Sequence, residues 1–356
     1  MNGTTQETTN GTMSATTNGA TNGIQNTRQS TARLDGRVAI VTGAGKGIGA
    51  GVARELAARG ASVVVSYRSS ASAADALVEE INSTSDQTNG QALALQADVT
   101  STDSIQSLFK QAKARFNHID IVVSNSGVEH FAPIESVTPA DFDAVFNTNT
   151  RGQFFVAQAA YEHLEPNGRL ILMSSISAHN AIKQHAVYAG SKCAVEAFAR
   201  CFAPDFGTRG ITVNSIAPGG VKTDMAADVG FRYIPTADET WTMDDIEKFV
   251  SARTPMRRMA LPVDIARVVG FLASEDAGWV SGKSIRVSAF PFSPSFPQIG
   301  RCSLDFKEAI GLVFLLLSLA RSCVVCFLAI LGRECQADTG IRYLGQNLTI
   351  SGGAAG

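Results

Sequence analysis

Between Leu34 and Ser281 the chain alternates two hydrophobic rhythms. Short runs of β-branched and aliphatic residues occur at Val38–Thr42, Ser62–Ser66, Ala92–Gln96, Ile119–Ser124, Arg169–Met173 and Ile211–Ile216. Longer stretches lie between them, with apolar positions recurring at helical spacing, as in Ile48–Arg59 and Ile105–Phe116. A run that is apolar at consecutive positions must be covered on both faces, so strands of this kind alternating with helices predict a parallel sheet with helices above and below. The expected fold is therefore α/β, a doubly wound parallel sheet in a single Rossmann-type domain. Its ligands are expected at the carboxyl ends of the strands.

The flanks break this rhythm. Residues 1–33 are rich in Thr, Asn, Gly and Ser and almost free of large apolar side chains. Such a segment buries too little surface to offset its ordering entropy and reads as a disordered low-complexity tail. It has no apolar h-region and its first Arg is Arg28, so it is not a secretory signal. At the other end the pattern closes twice. "WVSGKSIRVS" (Trp279–Ser288) reads as a last strand, and so does "QNLTISGG" (Gln346–Gly353). Joining Gly282 to Gln346 gives the continuous stretch "WVSGQNLTISGG". The expected reductase body is then residues 34–282, with 346–356 as its last strand and C-terminus and 283–345 as an insertion.

That insertion, Lys283–Gly345, holds four of the six cysteines and a long apolar centre. Gly282-Lys283-Ser284 is compatible with a splice-donor consensus in the coding DNA, and Tyr343-Leu344-Gly345 with an acceptor, so the segment reads as a translated intron. The alternative is a membrane-associating segment. Ala309–Leu331 is long enough to cross a bilayer core of about 30 Å, although Arg321 near its middle costs roughly 2.5–3.5 kcal/mol on insertion scales.

Composition narrows the function. A net charge of −2 offers no basic face to nucleic acid. Only Cys193 and Cys201 lie in the main domain, which suits a reducing, cytoplasmic compartment rather than a disulfide scaffold. Cys323-Val-Val-Cys326 has redox-motif spacing but sits in an apolar run, away from any βαβ pattern. "AGWVSGKS" lacks the first glycine of a P-loop, since Ala277 stands at that place. No residue cluster has metal-ligand spacing.

Three stretches carry candidate chemistry. The first strand runs into Thr42-Gly43-Ala44-Gly45-Lys46-Gly47-Ile48-Gly49, a glycine turn between strand and helix that can bring backbone against a pyrophosphate. The second strand ends in Arg68-Ser69-Ser70, with no acidic residue to meet the adenosine ribose hydroxyls. Arg68 and Lys46 can instead face a 2′-phosphate, which selects NADPH over NADH. In "HAVYAGSK", Tyr188 and Lys192 share one helix face. A neighbouring ammonium is expected to lower the tyrosine pKa from its usual value near ~10, suiting proton transfer to a carbonyl. Ser175, at the end of the fifth strand, stands where its hydroxyl can bond the same oxygen.

Taken together, these residues resemble the short-chain dehydrogenase/reductase family, in the family's order, from Leu34 to Gly282. The resemblance implies a tetrad of Asn149, Ser175, Tyr188 and Lys192, in which Asn149 holds a water linking Lys192 to solvent. It implies cofactor contacts by Gly43, Lys46, Gly47, Ile48, Gly49, Arg68, Ser69, Asp98 (beside the adenine), Asn125, Gly127, Tyr188 and Lys192. Pro218, Gly219, Val221 and Thr223, in the "APGGVKTDM" loop over the nicotinamide, complete the set. "NTRGQFF", "GRLILM" and "LPVDIARVVGFLAS" are most similar to fungal hydroxynaphthalene and versicolorin reductases.

The resemblance therefore implies an NADPH-dependent ketone reductase of a polyketide-type or phenolic intermediate in fungal secondary metabolism, working as a homo-oligomer. Two departures concern the substrate. Ala226 stands where the naphthol-reducing members carry an aromatic, and Arg253 where they carry Trp, while Tyr233 is kept. The alternatives are a reductase of a non-aromatic terpenoid or sterol ketone, and a binding or scaffold protein whose catalysis the C-terminal insertion impairs.

Overall fold

The computed structural model describes residues 32–84 and 90–289. Seven strands form one parallel sheet in the order β3-β2-β1-β4-β5-β6-β7. They are β1 (Val38–Val41), β2 (Ser62–Tyr67), β3 (Ala92–Gln96), β4 (Ile121–Ser124), β5 (Arg169–Met173), β6 (Thr212–Pro218) and β7 (Ser284–Val287). The helices between them are α1 (Gly47–Ala58), α2 (Ala71–Thr84), α3 (Thr102–Phe116), α4 (Pro139–Phe146), α5 (Gly152–His163), α6 (Ala186–Gly207), α7 (Asp224–Val229), α8 (Met243–Arg253) and α9 (Pro262–Ala273). The order reverses between β1 and β4, which opens a crevice at their carboxyl ends, the usual ligand position in such sheets.

Alternation along each strand feeds two separate cores. Ala39, Val41, Val63, Val65, Ile121 and Val123 pack with α1, α2 and α9 on one face. Ile40, Val64, Val122, Leu170 and Leu172 pack with α3, α5 and α6 on the other. Period-two side-chain alternation thus turns a continuous apolar run into two buried faces. Helix starts are set by side-chain caps. Ser101 accepts from the Ser104 amide ahead of α3, and Thr138 and Thr242 form reciprocal capping boxes with Asp141 and Asp245 ahead of α4 and α8. A third, small cluster of Ile234, Ile246, Val250 and Met259 holds α8 and the segment after α7 together beside the crevice.

The seventh strand follows closely on Gly282. Ser284–Val287 pairs with β6 in register Ser215↔Ser284 to Pro218↔Val287, so the folded domain continues past Gly282. The physical reason is local. The Asn214 side chain donates to the Val280 carbonyl and accepts from the Lys283 amide, which delivers the next residues to the sheet edge. Ile285 and Val287 then pack against the first core. The alternative last strand at Gln346–Ser351, the apolar stretch Ala309–Leu331 and the N-terminal tail before Ala32 lie outside the described residues. Among the described residues, no helix is long and apolar enough to cross a membrane.

Candidate active site

The glycine turn is built by conformation and by close approach. Gly43 and Gly47 have φ of +61° and +58°, a region that side chains with a Cβ rarely adopt. At Gly49 a Cβ would stand 2.4 Å from the Gly43 carbonyl oxygen, so only glycine lets α1 begin this close to the turn. Asn125, just after β4, ties the turn down: its Nδ2 donates to the carbonyls of Thr42 and Gly43, both at 3.0 Å. In return, Thr42 Oγ1 accepts from the amides of Asn125 and Ser126. Two strand ends flanking the crevice are thereby clamped into one surface. The cradle, the helix N-terminus behind it and the glycines that keep it shallow all fit a dinucleotide pyrophosphate.

The four expected catalytic residues converge across the crevice. Tyr188 and Lys192 lie on buried turns of α6. Ser175 follows β5, accepts from the Ser177 amide through Oγ at 3.1 Å, and lies near enough to favour the ionised form of Tyr188. Lys192 Nζ donates to the Met173 carbonyl at 3.0 Å and sits 5.5 Å from the centre of the Tyr188 ring. Gly127 passes over both partners: a Cβ there would be 3.2 Å from Lys192 Nζ and from Asn149 Oδ1.

Asn149 occupies a π-helical turn, Asn147–Arg151, between α4 and α5. Its side chain is fully buried, accepting from the Val128 amide and donating to the Val128 carbonyl and Ser191 Oγ. Both amide protons are spent on protein, so this side chain positions the segment after β4 against α6.

The electrostatics depart from expectation. Burial pushes the Tyr188 hydroxyl above its ordinary value, reinforced by the charge of Glu129 and opposed by the Ser175 hydroxyl. Burial also draws Lys192 down to about 8. The desolvation of two groups in one dry corner outweighs the attraction between ammonium and phenolate that the four-residue spacing suggested.

The cofactor rim is different in kind. Lys46 is 67 % exposed and pairs with Asp224 across the crevice at 3.5 Å. Arg68 and Ser69 are exposed after β2. Asp98 after β3 is held in place by Thr100, whose amide and hydroxyl both donate to Oδ1; these bonds keep its carboxyl below the usual range. On the far side, Pro218 ends β6, the Gly219 amide donates to the Val287 carbonyl, and Val221 bridges to Ala260. Thr223 caps α7 and faces Gly47, where a Cβ would lie 3.6 Å from its methyl group. The sequence-expected cofactor residues therefore border one continuous crevice from β3 to β6.

Three features escaped the sequence reading. Gln153, buried on α5, donates to the carbonyls of Asn149 and Met173 and accepts from the Met173 amide. It locks the two anchors of the tetrad together, and its place four residues after Asn149 is the only sequence signal. His185, three residues before Tyr188, stacks on Phe131 at 4.1 Å and lies 4.7 Å from the Tyr188 ring. Glu129 hydrogen-bonds the Tyr233 hydroxyl at 2.7 Å, bringing a carboxyl to the same corner. Of the substrate-region departures, Arg253 lies flat over Phe249 at 3.4 Å on α8, and Ala226 packs on the small third cluster.

A family model described as enoyl-(acyl carrier protein) reductase matches residues 43–289. The chain is 51 % identical over 247 residues to a hydroxynaphthalene reductase of Aspergillus fumigatus, covering 69 % of this chain and 89 % of that protein. It is 49 % identical over 254 residues to a trihydroxynaphthalene reductase of Colletotrichum orbiculare, covering 70 % and 88 %. Among solved structures, a short-chain dehydrogenase from Burkholderia cenocepacia in complex with NADP superposes with a TM-score of 0.64 at 30 % identity, covering 72 % of this chain and 98 % of that one. A 7α-hydroxysteroid dehydrogenase complexed with NADH and 7-oxo glycochenodeoxycholic acid superposes with a TM-score of 0.65 at 37 % identity, covering 73 % and 95 %.

Proposed function

Because the chain belongs to the short-chain dehydrogenase/reductase family, we propose that it is an NADPH-dependent reductase of a phenolic, polyketide-type ketone. The observation that carries this reading is the convergence of Tyr188, Ser175 and Lys192 on one buried corner beside the glycine turn, in a chain half identical to hydroxynaphthalene reductases. When bound, the cofactor supplies a hydride to the carbonyl carbon. Tyr188 gives its hydroxyl proton to the carbonyl oxygen, and Ser175 Oγ positions that oxygen by a second hydrogen bond. The Lys192 ammonium, held by the Met173 carbonyl, stabilises the phenolate left on Tyr188 and bonds the nicotinamide ribose. Asn149 and Gln153 hold these groups in register from behind.

NADPH rather than NADH follows from Lys46 and Arg68 at the rim, where a 2′-phosphate would meet two cations. The solved relatives carry NADP in one case and NADH in another, so this preference rests on these two side chains. A homo-oligomer in the cytoplasm belongs to the same reading. Phe142, Phe154 and Tyr161 on α4 and α5 expose large aromatic faces, as a subunit interface would need, and Cys193 and Cys201 are free thiols.

The second reading, a non-aromatic ketone, is favoured by the hydroxysteroid dehydrogenase likeness and by Ala226 and Arg253 replacing aromatic residues. NADPH consumption against hydroxynaphthalenones, anthrones and aliphatic or steroid ketones tests both. Turnover of the phenolic group is expected, and turnover confined to aliphatic or steroid ketones would overturn the first reading in favour of the second. Binding of NADPH with no turnover of any ketone would leave the scaffold reading.

A further inference from the structure

On the substrate side of Tyr188 lies a cluster that the mechanism above does not use. Glu129 follows β4, and its side chain is 10 % exposed. It meets the Tyr233 hydroxyl at 2.7 Å through Oε2, while Oε1 accepts from the His130 amide at 3.2 Å and lies 3.5 Å from His185 Nε2. Phe131 stacks on His185 and meets Tyr233 edge-on at 5.0 Å. Phe131, His185 and Tyr233 therefore form an aromatic cage with the Tyr188 ring at its edge, and the Glu129 carboxyl meets it at Tyr233 and His185.

The acceptors of this cluster keep capacity in reserve. His185 Nδ1 lies 3.0 Å from the His130 carbonyl, a contact that requires a proton on Nδ1. Burial draws His185 down to about 4, so the ring is neutral and Nε2 is an acceptor. Ser177 Oγ, at 3.2 Å, and the Tyr233 hydroxyl, at 3.2 Å, compete to donate to it. Tyr233 has one proton, and Glu129 also draws on it. The Ser177 hydroxyl, the Tyr233 hydroxyl and the His130 amide supply one donor each to the imidazole nitrogen and the two carboxylate oxygens, which leaves a second lone pair on each carboxylate oxygen open to a further donor. Burial pushes Glu129 up to about 7, against the hydrogen bonds from Tyr233 and His130 and the charge of Lys192.

We infer that Glu129 is a specificity-determining residue that accepts a hydrogen bond from a hydroxyl group of the substrate, so that the site selects ring-hydroxylated aromatic ketones over their hydroxyl-free counterparts. The ring lies against the packed cluster of Phe131, His185 and Tyr233, the carbonyl meets Tyr188 and Ser175, and the second oxygen function meets Glu129. This rests on the ketone-reductase reading for the placement of the carbonyl.

The sign of the pH dependence follows. A phenolic donor favours the ionised carboxyl, so binding at pH 6 displaces the Glu129 proton, while at pH 8 the carboxylate is already present. A site titrating near 7 makes affinity for the hydroxylated ligand about tenfold higher at pH 8 than at pH 6. Turnover is a poor readout of this effect, because ionised Glu129 also pushes Tyr188 up and Lys192 up. The other groups facing the cage are His130, His185, Tyr188, Tyr233 and Lys192. Of these, His130 and Lys192 are controlled by comparing ligands and variants.

The experiment is calorimetric titration of the protein–NADP⁺ complex with α-tetralone and with its ring-hydroxylated analogues, at pH 6 and pH 8. The protein is used as it is and as Glu129→Gln, Glu129→Leu and His130→Gln. The expected results are tighter binding of a hydroxylated analogue, about a tenfold gain from pH 6 to 8 for that ligand alone, and proton release at pH 6. Glu129→Gln abolishes the pH gain, Glu129→Leu abolishes the preference, and His130→Gln keeps both; NADP⁺ affinity is unchanged throughout. Equal binding of the two ligands, a pH gain that survives Glu129→Gln, or failure of either ligand to bind overturns the inference. Binding contrast without reduction of any ketone would sink the catalytic reading and leave this one standing, whereas reduction without the contrast does the opposite.

Discussion

The two banks of the crevice obey different physical rules. On the bank of the proposed catalytic residues, Asn149, Ser175, Tyr188 and Lys192 are all buried, and bonds between rigid elements brace it: Met173 by Gln153, Lys192 by Met173, Asn149 by Val128 and Ser191. On the proposed cofactor rim, Lys46 and Arg68 stand in solvent, and Asp224 lies at salt-bridge distance from Lys46. Geometry on the first bank is over-determined, so a change there is expressed through desolvation and lost contacts. Geometry on the second is loose, so a change there costs the protein little and shifts only what the cations attract. The proposed function thus assigns chemistry to the part of the molecule that tolerates least, and cofactor choice to the part that tolerates most.

The largest expected effect tests the first half of that contrast. Tyr188→Phe removes one hydroxyl, keeps the ring packed beside His185 and Lys192, and should leave NADPH binding and folding intact. Loss of a general acid typically costs ~10²–10⁴-fold in rate. A loss in kcat below tenfold, measured with any ketone the parent protein reduces, would remove Tyr188 from the proton-donor role.

Lys192→Met follows, and it should separate stability from activity. Burial draws Lys192 from its ordinary 10.5 to about 8, so the folded chain holds this proton less tightly than the unfolded one. The unfolded state therefore binds more protons between about pH 8 and 10.5, and the lysine's destabilising contribution is lifted as pH rises through that window. Below it the cost is present in full, roughly 3 kcal/mol for a shift of this size. An isosteric apolar side chain avoids that cost. Lys192→Met is expected to unfold at a higher temperature than the parent at pH 7, to lose the stability gain between pH 8 and 10.5, and to lose turnover. A variant less stable than the parent at pH 7 would show that the Met173 hydrogen bond is worth more than the desolvation.

How much of this was legible in the sequence follows the same division. The sheet, its order of elements and the placement of Tyr188 and Lys192 on one buried helix face were readable because each depends on local signals: apolar runs, a glycine turn, Tyr and Lys four apart. The depressed Lys192 and elevated Tyr188 were not, since desolvation is set by Gly127, Gln153 and Met173 arriving from three other elements. Glu129 was missed for a related reason. Nothing in "SGVEHF" distinguishes a solvated acidic residue from one that meets Tyr233, 104 positions later, inside an aromatic cage. The π-helical turn at Asn147–Arg151 likewise has no signature beyond the residues it places.

The rim gives a smaller effect. Arg68→Ala and Lys46→Ala should each reduce the preference for NADPH over NADH, since a charge-assisted bond to phosphate is worth ~1.5–3 kcal/mol. Neither should move kcat with saturating NADPH or the melting temperature without cofactor, because both side chains are exposed and Lys46 gives up only a surface pair. Ratios of kcat/KM for the two cofactors measure this. Equal use of both by the parent protein would refute the assignment of the rim.

The smallest effect concerns the sheet edge that joins the two banks. The Val287 carbonyl accepts from the Gly219 amide, so β7 steadies the loop carrying Pro218, Gly219, Val221 and Thr223. A chain in which Gly282 is joined directly to Gln346 puts Asn347, Leu348, Thr349 and Ile350 in the places of Ser284, Ile285, Arg286 and Val287. Leu348 and Ile350 keep the apolar alternation by which Ile285 and Val287 meet the first core, and Thr349 is a better strand former than Arg. Hydrogen bonds to β6 are backbone bonds and pass to the new residues unchanged. The folded domain should therefore change by only about 1 kcal/mol, a shift of roughly 2–4 °C for a domain of this size, upward if the new strand packs as drawn. NADPH affinity should stay within about twofold, because 1.4 kcal/mol would be needed for tenfold. What should change is solubility, as the joined chain sheds the long apolar stretch Ala309–Leu331. Melting temperature, NADPH affinity and the aggregated fraction of the joined and full-length chains decide it, together with sequencing of the transcript across these codons. A joined chain that fails to fold or to bind NADPH would assign the edge of the sheet to Ser284–Val287 alone and make Lys283–Gly345 part of the working protein.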